Sequence, residues 1–175
     1  MVESCANSVN PAPTTKMNRI NFFTKKEYVV QRKFRQKSMT STVVYEGDLR
    51  TTCTHLASGS DFETDAPVDN NGKGERFSPT DLLATSLGTC MLTVMGIKAR
   101  SMGFDLNGIK IEVHKIMKAN PRRVGGINLT FSIPDQLKDI DEKTRDILKY
   151  TAVTCPVQQS IHPDIEVEMN WGAWK

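Results

Sequence analysis

The segment from Ser78 to Gly103 constrains this chain more than any other. Ser78-Pro79-Thr80-Asp81 is a strong helix start: serine can cap, proline suits the first helical position, and aspartate at the third favours the positive end of the dipole. Downstream, Leu83, Leu87, Cys90, Val94 and Ile97 recur three or four apart, flanked by Leu82, Ser86, Met91 and Met95. That spacing predicts about six turns with one wide apolar stripe, ending at Gly103. This is the core helix, and the rest must pack on it.

Before it, Thr42 to Tyr45, a turn at Glu46-Gly47-Asp48 and the Thr-rich Leu49 to His55 predict a β-hairpin, with a third short strand around Phe62. Asp65 to Gly74 gathers turn residues into a loop leading to the helix. After the helix, Ile109, Ile111 and Val113 alternate with Lys110, Glu112 and His114, and Ile127, Leu129, Phe131 and Ile133 alternate with polar neighbours. The turn chemistry of Asn120 to Gly126 joins these strands as an antiparallel hairpin with Arg122 and Arg123 near its tip. Asp139 or Asp141 caps a second helix through Tyr150, and Pro156 opens a short third helix reaching about His162. Ile165, Val167, Met169 and Trp171 form a last strand. The order β-β-β-α-β-β-α-α-β is an α+β domain.

At 175 residues there is room for one ordinary core, and 38% hydrophobic with 25% charged residues is the balance of a packed globular protein. No apolar run exceeds three residues, so no membrane span is expected. Residues 1–38 carry eight Lys and Arg against two acids, a balance of +6, whereas 39–175 carry fifteen against eighteen, a balance of −3. The basic segment is expected to be a disordered extension of the domain at 39–175. Three accounts compete for it: translation upstream of a natural start at Met39, a targeting peptide, or a basic arm for an acidic partner. Because the patterned region has no basic excess, nucleic-acid binding is not expected. Because the N-terminus shows no secretory h-region, the protein is expected to stay in a reducing cytoplasm with free thiols.

Cys5, Cys53, Cys90 and Cys155 lie 48, 37 and 65 residues apart, which forms neither a zinc knuckle nor a C-x-x-C pair. His55, His114 and His162 stand on separate elements and suggest no metal site. P-loop, dinucleotide, esterase and metalloprotease motifs are missing, so thiol chemistry remains. Cys155, just before Pro156, sits at a helix N-terminus, where unpaired N–H groups lower a thiol's pKa; the alternative is a small cap residue in a core corner. Cys90 lies on the apolar face of the long helix, where a cysteine usually serves as a small hydrophobe. Cys53 and Cys5 have no local activating feature.

The run Ser78-Pro79-Thr80-Asp81-Leu82-Leu83-Ala84-Thr85-Ser86-Leu87-Gly88-Thr89-Cys90, with Thr154-Cys155-Pro156-Val157 far downstream, resembles the two-cysteine signature of the OsmC/Ohr family of osmotically induced and organic hydroperoxide resistance proteins. The resemblance spans about residues 40–172. It implies an OsmC-like fold, antiparallel sheets around a long central helix, in an intertwined homodimer with its sites at the subunit interface. It implies that Cys90 is peroxidatic, forming a sulfenic acid that condenses with Cys155 to a disulfide, and that a dithiol, typically lipoyl-linked, reduces it. No cofactor or metal is implied.

In the family an arginine before the long helix, held by a glutamate in the helix's first turn, activates the attacking cysteine. Here Thr80 stands where that glutamate is expected, and Asp81 is the carboxylate at hand. Asp81 is therefore read either as a cap or as the holder of an arginine, with Arg50 and Arg76 the candidates by position and Arg122 or Arg123 further off. The expected function is an organic hydroperoxide reductase whose greasy cavity is lined by Leu83, Leu87, Met91 and Met95. The alternative is a non-catalytic small-molecule-binding or redox-sensing protein of the same fold.

Overall fold

The computed structural model describes residues 39–175. The extension expected over residues 1–38, and Cys5 within it, lie outside the described residues. From Ser41 onward the chain packs as one compact unit. Its elements are β1 (Ser41–Gly47), β2 (Arg50–His55), β3 (Asp61–Asp65), α1 (Pro79–Ser101), β4 (Lys110–Ala119), β5 (Arg122–Ser132), α2 (Glu142–Val153), α3 (Pro156–Ser160) and β6 (Glu166–Asn170). The predicted element order and α+β class hold.

The β-branched strands of the N-terminal third pair into an antiparallel sheet in the order β1-β2-β3. Its register places Val43 opposite Cys53 and Cys53 opposite Phe62, so these three share a face. Val43, Tyr45 and Phe62 are all more than half exposed on it. The β1–β2 turn passes through Gly47, Asp48 and Leu49 at φ 89°, 48° and 62°, a left-handed path that closes the hairpin one residue later than predicted.

The second sheet, β4-β5-β6, carries the core. Here β5 runs antiparallel to β4 but parallel to β6, because α2 and α3 return the chain to the end at which β5 began. The expectation of wholly antiparallel sheets is corrected at that ladder. The β4–β5 turn is also tighter than predicted, since Arg122 to Gly126 belong to the strand. A register shift at Ile116/Met117, opposite Val124 and Gly126, absorbs the extra residue as a bulge.

Helix α1 lies on this sheet, with Ala84, Leu87, Gly88, Met91, Met95 and Ala99 facing inward. The predicted stripe was centred on Leu83, Cys90 and Ile97, and the structure turns the buried face away from it: Leu83 is 39% and Ile97 65% exposed. Small residues explain the difference. Gly88 lets the helix approach so closely that a Cβ there would sit 3.2 Å from Val113 Cγ2, and Ala84 and Ala99 are buried on the same face. By length and composition α1 could also cross a membrane, with mean hydropathy 1.5 over 18 residues; counting unbroken apolar runs missed this because uncharged Thr, Ser and Gly interrupt them. In this fold it is the core helix. The chain closes with Trp174, fully buried, donating from Nε1 to Leu137 O at 2.8 Å.

Candidate functional site

Helix α1 begins on a reciprocal capping box. Ser78 Oγ accepts from the Asp81 backbone N–H at 3.1 Å, and Asp81 Oδ2 accepts from the Ser78 N–H at 2.8 Å. A third group completes it: Lys115 Nζ lies 2.7 Å from Asp81 Oδ1 and 2.9 Å from Thr80 Oγ1. Burial pushes the Asp81 carboxyl up, but the Lys115 and Ser78 hydrogen bonds outweigh it and hold the group below the usual aspartate range. Of the two roles expected for Asp81, the cap is what the geometry shows, and its cation is a lysine rather than Arg50 or Arg76. Sequence reasoning passed over Lys115, although it falls in phase with the inward Ile111, Val113 and Met117 of β4. A lysine on the buried phase of a strand was the available signal.

The two arginines are held elsewhere. Arg50 on β2 meets Asp65 at the end of β3 in a two-pronged pair, Nε to Oδ1 at 2.7 Å and Nη2 to Oδ2 at 2.9 Å, and Nη2 also reaches Glu75 Oε2 at 2.7 Å. The register that sets Arg50 opposite Asp65 makes this pair. Asp65 is 2% exposed, and the Arg50 guanidinium keeps its carboxyl low. Arg76 binds Glu63 Oε2 through Nε at 3.1 Å and the Glu75 carbonyl through Nη1 at 3.1 Å. Arg122 pairs with Asp69, and Arg123 with Asp164.

Cys155 is buried as the N-cap of α3, its Sγ accepting from the Gln158 N–H at 3.4 Å. The neighbour acting on its thiol is Cys90, from the middle of α1, so the fold brings together two cysteines that 65 residues of sequence keep apart. The thiol pKa of Cys155 is raised, against the sequence expectation. Burial is the largest cause, the Gln158 N–H opposes it, and proximity to Cys90 adds to the rise. A five-residue helix offers too small a field to offset complete burial. Cys53 and Cys90 are half-buried, and all three described cysteines are free thiols.

Asp81 and Cys90 are nine residues apart on one helix, which is about 13.5 Å along the axis and half a turn around it. Consistent with this, Asp81 faces β4 through Lys115 while Cys90 faces the start of α3. A cleft of about 680 Å³ opens on the Asp81 side, lined by Arg76, Phe77, Asp81, Thr85, His114 and Lys115. The expected lining of Leu83, Leu87, Met91 and Met95 is corrected: Leu87, Met91 and Met95 have no exposed surface and fill the core, and Leu83 points outward.

Residues 72–170 match the OsmC-like protein family. Among curated proteins no relative matches. Among solved structures, a Psychrobacter arcticus 273-4 protein named for osmotic stress induction and a detoxification response is 54% identical, with TM-score 0.71, over 75% of this chain and 94% of that one. A Legionella pneumophila organic hydroperoxide resistance protein, OsmC, shares the fold at 16% identity and TM-score 0.58, over 76% and 96% of the two chains. The Bacillus subtilis organic hydroperoxide resistance protein OhrB does so at 18% and 0.51, over 75% and 97%. With the family matched over more than half the chain and a 54% identical relative covered over 94% of its length, this protein belongs to the OsmC-like protein family.

Proposed function

We propose that this chain is a thiol-dependent peroxidase that reduces organic hydroperoxides through Cys90 and Cys155. The observation that carries the reading is the meeting of these two free thiols across the α1–α3 contact. The names of the Legionella and Bacillus proteins that share the fold give the substrate class. Burial raises the Cys155 thiol and disfavours it as the attacking thiolate, and in this reading Cys90 is the attacking sulfur.

In the first step the Cys90 thiolate attacks the terminal oxygen of the hydroperoxide. The O–O bond breaks, the sulfur becomes a sulfenic acid and the alkoxide leaves as an alcohol after taking a proton. In the second, Cys155 attacks the Cys90 sulfur; the S–S bond forms and the sulfenic oxygen departs as water. A dithiol, such as a lipoyl group in a reducing cytoplasm, then exchanges with this disulfide, restoring both thiols and becoming a disulfide itself.

The cation that favours the Cys90 thiolate comes, in this reading, from a second copy of the chain. Arg76 and Lys115 lie on the far side of α1 from Cys90 within one subunit, and the outward Leu83 and Ile97 beside Cys90 give a homodimer an apolar surface to cover. Arg76 is the preferred activator, since its one carboxylate partner, Glu63, is an exposed side chain it can leave, whereas Arg50 is held between Asp65 and Glu75.

Peroxide consumption with a dithiol donor tests the assignment. Cys90→Ser should abolish turnover, while Cys155→Ser should consume one equivalent and stall as a sulfenic acid. Equal residual turnover in both variants would overturn the mechanism and leave a binding or redox-sensing protein.

A further inference from the structure

We infer that Asp65 is a positioning residue for Arg76, acting through the loop that leads into α1. The inference rests on the peroxidase reading above and on Arg76 as its cation. Residues 66–77 cross from β3 to α1 and end on Arg76 and Phe77, both of which line the cleft. Asp65 ties the two ends of this loop together. Its backbone N–H donates to the Phe77 carbonyl at 3.2 Å, and its Oδ2 accepts from the Glu75 N–H at 3.1 Å. Arg50 then bridges the Asp65 and Glu75 carboxylates, fixing the residue beside Arg76 from both its backbone and its side chain. Arg76 in turn leans on that fixed backbone, donating to the Glu75 carbonyl.

A nearly buried carboxylate is an expensive way to hold a loop if stability is the purpose, because desolvating an ion pair cancels much of its attraction. What such a pair supplies is one geometry, and a cation displaced by about 1 Å from a reacting group can cost on the order of a hundredfold in rate. The loop reinforces this single path. Gly72 packs so tightly against the Ala66 carbonyl that no side chain fits there, and the Gly72 N–H bonds Pro67 O at 3.0 Å.

The test is a double-mutant cycle in the full chain, with the single-turnover reaction of Cys90 with tert-butyl hydroperoxide as the readout. Asp65→Asn should slow the reaction by roughly tenfold or more. In an Arg76→Ala background, already slow, the same substitution should change the rate by less than about twofold, because nothing remains to be positioned. Equal slowing in both backgrounds would make Asp65 a structural residue and overturn the inference, as would an unchanged rate in the Asp65→Asn single variant. A full rate in Arg76→Ala alone would remove Arg76, and this inference with it, from a mechanism whose cysteine steps are judged separately by Cys90→Ser and Cys155→Ser. Should Asp65→Asn fail to fold, Glu75→Gln, on an exposed carboxylate, should give a smaller slowing that also disappears without Arg76.

Discussion

At the scale of one residue, Cys155 shows how a local rule yields to its surroundings. A helix N-terminus lowers a thiol's pKa, whereas full burial beside another sulfur raises it, and here burial prevails. A raised pKa favours the neutral form, so the stability it contributes is complete below the ordinary thiol value and is lost as pH rises through the higher folded one. The same shift governs reactivity. In a Cys90→Ser protein with Cys53 and Cys5 also replaced, Cys155 should alkylate slowly at pH 7 to 8.5 when folded and at an ordinary thiol rate in denaturant, as a pH series with iodoacetamide would show. Fast alkylation in the folded protein would mean that the dipole prevails after all.

Between elements, the loop from β3 to α1 is built by contacts that short-range patterning does not encode. Its composition announces turns, but its path is fixed by Asp65 with Arg50 and by the contact of Gly72 with Ala66. Gly72→Ala should therefore open the loop without touching the core. The expectation is a loss of roughly 1–3 kcal/mol by urea unfolding, together with faster hydrogen exchange at the Asp65 and Glu75 amides, which close the loop on the Phe77 carbonyl and the Asp65 carboxylate. Unchanged protection at those two amides would show that the loop path survives a side chain there. Lys115 is the corresponding device in the same cleft, pinning β4 to the first turn of α1.

For the whole molecule, the two halves of the proposed site lie on opposite flanks of α1, which a dimer would reconcile. Co-expressed Cys90→Ser and Arg76→Ala chains should recover activity that neither has alone. Random pairing would restore about one quarter of the sites, each joining an intact Cys90 to an intact Arg76 from the other chain. No recovery in mixed dimers isolated by two affinity tags would place both residues in the same subunit's site. The exposed Val43, Tyr45 and Phe62 face of the first sheet is a further apolar surface available to such an assembly.

The order of elements, the start of α1 at Ser78, an aspartate cap of α2 narrowed to Asp139 or Asp141 and the pairing of β4 with β5 were all legible in the sequence, because capping chemistry and apolar period act over a few residues. The resemblance at Ser78 to Cys90 and at Thr154 to Val157 pointed to the family for the same reason, since each of its two runs is continuous. What tertiary structure alone decided is which face of α1 is buried, the parallel ladder of β6, and the partners of every charge near the site. Asp81 found Lys115, 34 positions away, and Arg50 found Asp65 across two strands. Such pairings follow from strand register and from how closely a helix can approach a sheet, and the order of residues along the chain carries neither.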